Sequence, residues 1–215
     1  MCIRDRPEGG TTNDFLLHQH YFSSFAIVNP IESPQVELDE LVGLFFPQSP
    51  ANVGVFHQSD AADMPADADS LLNHCEHMTV TIEEFHGSEV DVKVLQELDT
   101  DTHYSRKILL TRKSDGGVVQ FGIVRLDMST LPQVVQDQIR MREIPLGRIL
   151  ISHDVMRAVR LAKLYRIEAG QELASHFNAE LGANVFGRTA WMYCNGKPAI
   201  ELLEIVNLNN ESPDV

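Results

Sequence analysis

The chain has 215 residues and a formal net charge of −14, with 43% hydrophobic and 22% charged residues. This composition is typical of a folded globular protein, and no apolar run is long enough to span a membrane. The acidic charge excludes a general nucleic-acid or anionic-membrane surface, because such a surface needs a basic face. The three cysteines are far apart and predict no disulfide framework. Without a secretory signal at its start, the chain is expected to be cytoplasmic, and its oligomeric state is left open.

The charge is unevenly distributed along the chain. Residues 1–100 carry three Lys or Arg against 18 Asp or Glu, whereas residues 101–200 carry 14 against nine. Arginines gathered in the second half can bind a small anion, although an acidic extension attached to an ordinary domain explains the same counts. We expect three parts: a partly irregular, acidic N-terminal extension (1–64), a domain (65–208) and a C-terminal tail (209–215).

Helix and loop patterns dominate the first third of the chain. "LDELVGLFF" (38–46) has its apolar residues at helical spacing and predicts a helix. "QSPANVG" (48–54) and "SDAADMPADADS" (59–70) are rich in loop-forming residues and predict loops. Ser70 is expected to cap a second helix, which carries Leu71, Leu72, Cys75 and Met78 on its apolar side.

Strands and helices alternate in the remaining sequence. "VDVKVLQEL" (90–98) alternates between apolar and polar residues and predicts a half-buried strand. The other predicted elements are strands at 106–112 and 118–126 joined by a turn at 114–117, a helix at 129–143 capped by Ser129 or Thr130, a loop with more helix over 145–170, and a hairpin at 186–204. Hairpins that flank helices predict an α+β fold with an antiparallel sheet.

The last hairpin contains three charged residues among apolar ones. Its Asn195-Gly196 turn is typical of type I′ and predicts that Arg188 pairs with Leu203. In this register Arg188 and Glu201 are diagonal neighbours on one face, which predicts a cross-strand ion pair. Glu204 lies within "LLEIV", so it is either exposed on an alternating face or buried with a function.

Two further features are candidates for anion binding. Arg106 opens the otherwise apolar strand "RKILL" and is either a strand-edge arginine or a ligand-binding one. "PLG" (145–147) offers backbone amides at a helix start, which can hold a carboxylate, although Pro-x-Gly is also common in turns.

The histidines give no convincing metal site. His74 and His77 lie three residues apart, but zinc needs three or four ligands, and no partner cluster occurs elsewhere in the sequence. We therefore expect surface histidines, no metal and no cofactor. The sequence also lacks the motifs of serine hydrolases and nucleotide-binding proteins.

Residues 70–206 resemble the chorismate pyruvate-lyase family and its relatives, including effector domains of transcription regulators. The matching segments follow the family's order: "MTVTIEEFHGSEVDVKVL" (78–95), "SRKILL" (105–110), "STLPQVV" (129–135), "IPLGRIL" (144–150) and "FGRTAWMYCNGKPAIELLE" (186–204). The resemblance implies a chorismate lyase-like fold, in which helices pack on one face of an antiparallel sheet and enclose a small internal ligand cavity.

The resemblance also implies roles for individual residues. Met78 would lie in a flap, Arg106 would hold a substrate carboxylate, and Leu146 and Gly147 would contact the ligand. Glu204 would be the acidic residue of the last strand and, with Arg106, catalytic. The supporting residues would be Gly122, Arg188 and Glu201.

The implied activity is that of a cofactor-independent lyase. It would remove the enolpyruvyl side chain of chorismate to give a hydroxybenzoate and pyruvate. A buried Glu204 would have a raised pKa and could donate a proton to the departing oxygen. One departure is Ile123, which follows Phe121-Gly122 where family enzymes often carry arginine. The alternative is a non-catalytic domain of the same fold that binds a small aromatic acid as a sensor.

Overall fold

A computed structural model describes residues 36–194 and 196–208, apart from the side chains of Met156 and Arg157. These residues belong to one compact unit, residues 35–215. No helix in this described part of the chain is both long enough and apolar enough to cross a membrane.

One antiparallel sheet with the strand order β1-β5-β6-β7-β4-β3-β2 forms the centre of the unit. Its strands are β1 (Gly54–Ser59), β2 (Val90–Asp99), β3 (Tyr104–Arg112), β4 (Val118–Leu126), β5 (Met156–Ala169), β6 (Asn184–Cys194) and β7 (Lys197–Val206). The strands β2, β3, β4, β6 and β7 lie where the sequence predicts them. The predicted α+β fold with an antiparallel sheet is confirmed.

Helices cover both faces of this sheet. They are α1 (Leu38–Gly43), α2 (Ala66–Leu72), α3 (Met78–His86), α4 (Gln133–Met141), α5 (Leu146–Ser152) and α6 (Gln171–Phe177). Apolar residues of α2 to α5 pack against one face. On the opposite face, α1 and α6 pack around Phe121 and Ile123. Helices α1 and α6 thus form a second layer, in addition to the single helical layer that the sequence predicts.

The segment after α5 is a strand, so the predicted helix over most of residues 156–169 is wrong. The 14-residue strand β5 pairs with β1 on one side and β6 on the other. Its register shifts between Leu161 and Lys163. This bulge interrupts the alternation of apolar residues by which a strand is recognised, and tertiary pairing decides the structure.

The predicted helix from Ser70 through Met78 is two helices. α2 begins at Ala66, so Ser70 lies inside it and does not cap it. Residues 73–77 connect α2 to α3, and the carbonyls of Leu72 and His74 accept hydrogen bonds from Arg188 Nη1. These carbonyls therefore accept hydrogen bonds from a side chain distant in the sequence and not from the amides of a continued helix.

The hairpin of β6 and β7 departs from its predicted register. Cys194 pairs with Lys197 as expected, but the register shifts between Met192 and Tyr193. Beyond this bulge Arg188 pairs with Glu204 and not with Leu203. The predicted Arg188–Glu201 pair is therefore wrong. The shift of one residue places Glu204 opposite Arg188 and on the same face of the sheet. The two-residue turn alone does not reveal such a shift.

The N-terminal division predicted at residue 64 remains a prediction. Residues 1–35 lie outside the described part of the chain, as do residues 209–215 of the predicted tail. The structure does show that β1 is an edge strand of the sheet and that Leu41 and Val42 of α1 belong to its core. Both elements precede residue 64.

Candidate functional site

The candidate site is a cavity on the face of the sheet that carries α2 to α5. Side chains that face it come from alternate positions of neighbouring strands, since directly paired residues point to the same face. Three rows of paired residues result: Arg106, Val124 and Leu202 in one row, Ile108, Gly122 and Glu204 in the next, and Leu110, Gln120 and Val206 in the third. All except Val206 line the cavity.

Helices α3 and α5 contribute the other wall. Met78 and Thr79 open α3, and Pro145, Leu146 and Gly147 begin α5. The two helices approach closely at Gly147, where an added methyl group would lie only 2.8 Å from Thr79 Oγ1. The volume of the cavity is about 40 Å³, which is room for roughly three water molecules.

Arg106 is the buried cation of the cavity. It is only 1% exposed, and its Nε and Nη1 have no hydrogen-bond partner among the described residues. Burial lowers the pKa of the guanidinium, whereas the neighbouring Tyr104 hydroxyl and Glu97 carboxylate raise it. Buried donors without partners are rare in folded proteins, so these two N–H groups are suited to receive an anion.

Glu204 is held in an ion pair. Arg188 Nε donates to Glu204 Oε2 at 2.7 Å, and both residues are buried. Nη1 of the same guanidinium donates to the Leu72 and His74 carbonyls, at 3.1 and 2.9 Å. Arg188 therefore connects the acidic residue of the cavity to the segment that leads into α3.

Glu201 lies outside the cavity and has a different partner. Arg125 Nε donates to Glu201 Oε2 at 2.6 Å, and Arg125 Nη2 lies 3.2 Å from Glu40. Burial raises the pKa of Glu201 despite the attraction of Arg125. Arg188 thus forms its ion pair with Glu204 and not, as predicted, with Glu201. Glu201 belongs to a separate ion cluster with Arg125 and Glu40.

The structure brings most of the predicted site residues together. The cavity lining contains Met78, Arg106, Gly122, Leu146, Gly147 and Glu204. Arg188 supports the lining through its ion pair. Ile123 is fully buried in the cluster on the opposite face and does not line the cavity.

Gln120 is the polar cavity residue that sequence reasoning missed. It is 3% exposed, and its Oε1 has no hydrogen-bond partner in the described part of the chain. A signal was available: on a predicted strand, Gln120 shares the face of Gly122 because it lies two residues away. A buried amide next to a predicted supporting residue was therefore identifiable in the sequence.

The histidines have local roles. His74 lies between α2 and α3, where its Nε2 donates to the Leu71 carbonyl at 2.6 Å and its Nδ1 accepts from the Glu76 amide. Burial, followed by the charge of Arg188, lowers the pKa of His74. Within residues 36–194 and 196–208, no three His, Cys, Asp or Glu side chains are placed to hold a metal ion.

Comparisons with known proteins find likeness in structure only. No family model matches the chain. No curated protein matches it in sequence. Similar solved structures include YydK from Bacillus subtilis, a candidate transcriptional regulator (14% identity, 61% of this chain and 63% of that chain, TM-score 0.46). Two others are the effector domain of PhnF from Mycobacterium smegmatis (13%, 61% and 88%, 0.48) and the C-terminal domain of the histidine utilization repressor from Pseudomonas syringae (8%, 59% and 97%, 0.42).

The chain spans 63% of the length of YydK and of a longer PhnF chain. At these identities the likeness concerns the fold alone and identifies no family for the chain.

The prediction of a lyase is wrong. The similar structures are those of regulators and their domains, such as the effector domain of PhnF.

Proposed function

We propose that the chain is a non-catalytic domain that binds a small aromatic carboxylic acid in the cavity of α3, α5 and the sheet. The observation that carries this proposal is Arg106, with two buried N–H groups that no described residue satisfies. A carboxylate oxygen accepts a charge-assisted hydrogen bond from either of these N–H groups, and the buried guanidinium supplies the opposite charge.

The remaining lining favours a flat, apolar ligand body. Ile108, Val124, Met192 and Leu202 surround the space beside Arg106, and Met78 and Leu146 lie on the helical side. Pockets of this kind bind a ligand by apolar contact and orient it with a few polar groups. An aromatic ring supplies that contact and loses little conformational entropy on binding.

Binding requires α3 and α5 to move apart. The cavity of about 40 Å³ is too small for an aromatic acid, since it holds only a few waters. These helices are short, with nine and seven residues, and meet at the contact of Thr79 with Gly147. Opening at this contact would admit the ligand, and reclosing would exclude water from the ion pair with Arg106.

The test is a thermal-shift screen of the purified chain with benzoate, 4-hydroxybenzoate and phenol. A ligand that binds only the native state raises Tm with concentration. We expect both acids to raise Tm and phenol, which lacks the carboxylate, to leave it unchanged. Equal shifts with phenol, or no shift with either acid at millimolar concentration, would contradict the proposal.

The same protein should be incubated with chorismate, and pyruvate should be measured. We expect no pyruvate above the rate of spontaneous decay in protein-free buffer. Release that depends on the protein would contradict the non-catalytic function, whatever the result of the thermal-shift screen.

A further inference from the structure

Gln120 is a buried polar group that the fold does not use. Its neighbours along the cavity row are the apolar Leu110 and Val206, and Oε1 has no hydrogen-bond partner in residues 36–194 and 196–208. An unpaired buried acceptor destabilises a protein, whereas an apolar side chain of similar shape would not. Packing alone would favour an apolar residue at this position, so we expect Gln120 to have a function.

The position of Gln120 relative to Arg106 defines what this function could be. Gln120 lies on β4, two rows away from the row of Arg106 on the adjacent strand β3. In a regular sheet this spacing corresponds to about 14 Å between their Cα atoms. The row between them contains Ile108 and Gly122, which offer no polar side chain, and Glu204, whose Oε2 is bonded to Arg188. The two ends of the cavity floor thus offer free donors at Arg106 and a free acceptor at Gln120.

We infer that Gln120 is a specificity residue, which accepts a hydrogen bond from a hydroxyl or amino group at the end of the ligand opposite its carboxylate. This inference rests on the proposed function and narrows its ligand to aromatic acids that carry a hydroxyl or amino group. A site with a buried hydrogen-bonding group rejects an analogue without the matching group, because binding then leaves the site's own group unpaired.

The test compares Gln120→Leu with Gln96→Leu by isothermal titration of benzoate, 3-hydroxybenzoate and 4-hydroxybenzoate. Gln96 is exposed on β2 and does not line the cavity, so Gln96→Leu makes the same chemical change away from the site. In the unaltered protein, we expect at least one hydroxybenzoate to bind about tenfold or more tightly than benzoate. Gln120→Leu should reduce this preference to within about twofold, and Gln96→Leu should keep it.

A second measurement, Tm without ligand, separates this function from a structural one. Gln120→Leu should raise Tm, because it removes an unpaired buried acceptor. A fall in Tm, or a hydroxyl preference that survives Gln120→Leu, would overturn the inference while benzoate binding still supported the proposed function. If none of the three acids binds the unaltered protein, the proposed function fails and the inference fails with it.

Discussion

Replacing Glu204 with Gln should strongly destabilise the protein, because it removes the charge that compensates buried Arg188. Arg188 is 0% exposed, and its bonds to the Leu72 and His74 carbonyls hold the guanidinium away from water. Breaking a buried ion pair by changing one partner destabilises a protein by about 3–5 kcal/mol. Gln retains an acceptor for Arg188 Nε, so we expect the lower end, about 3 kcal/mol in the free energy of unfolding.

The matched control is Glu201→Gln. Glu201 pairs with Arg125, whose side chain is 21% exposed and also contacts Glu40. Since burial opposes ionisation of Glu201 and Arg125 reaches solvent, the change should alter stability by less than about 1 kcal/mol. Trp191, the only tryptophan, provides a fluorescence signal for denaturant unfolding.

A double-mutant cycle isolates the pair itself. In an Arg188→Met background, Glu204→Gln should have a much smaller effect, because no buried cation is left uncompensated. The reasoning would be refuted if Glu201→Gln were as destabilising as Glu204→Gln, or if the effect of Glu204→Gln were the same with and without Arg188.

Two further predictions concern the segments around α3. Since the pKa of His74 is lowered from its ordinary value of 6.5, its neutral form stabilises the fold above that value, and this stability is lost as the pH falls through the lowered pKa. His74→Gln should therefore reduce the pH dependence of Tm between about pH 7 and pH 5, and an unchanged slope would contradict this. Gly147→Ala should lower the free energy of unfolding by about 1–3 kcal/mol, since its methyl group would lie 2.8 Å from Thr79 Oγ1. In a Thr79→Ala background, unfolding titrations should recover most of that loss, and simple additivity would exclude this contact as the cause.

Local patterns predicted much of the sheet, because its central strands carry their own signals. The Asn195-Gly196 turn and the alternation in β2 are short-range features of the sequence. β5 was missed because its bulge interrupts the alternation and its pairing partners are distant in the chain. The same limitation affected the last hairpin, where the bulge beside Met192 exchanged the predicted partner of Arg188.

The sequence predicted which residues lie at the candidate site better than it predicted which of these residues pair with one another. Motif order indicated residues such as Arg106 and Glu204 that the cavity brings together. The partner of Glu204 depended on a register shift, and the pairing of Glu201 with Arg125 depended on the order of β4 and β7 in the sheet. Neither is encoded in local spacing.

The central claim is that Arg106 holds the carboxylate of a small aromatic acid. The most direct measurement is titration calorimetry of 4-hydroxybenzoate with the unaltered chain and with Arg106→Met. We expect the substitution to weaken binding about 100-fold, because a charge-assisted hydrogen bond is lost. Tm without ligand is the control for folding, because Arg106→Met also removes the interactions of the guanidinium with Tyr104 and Glu97. Equal affinity for both proteins would contradict the account.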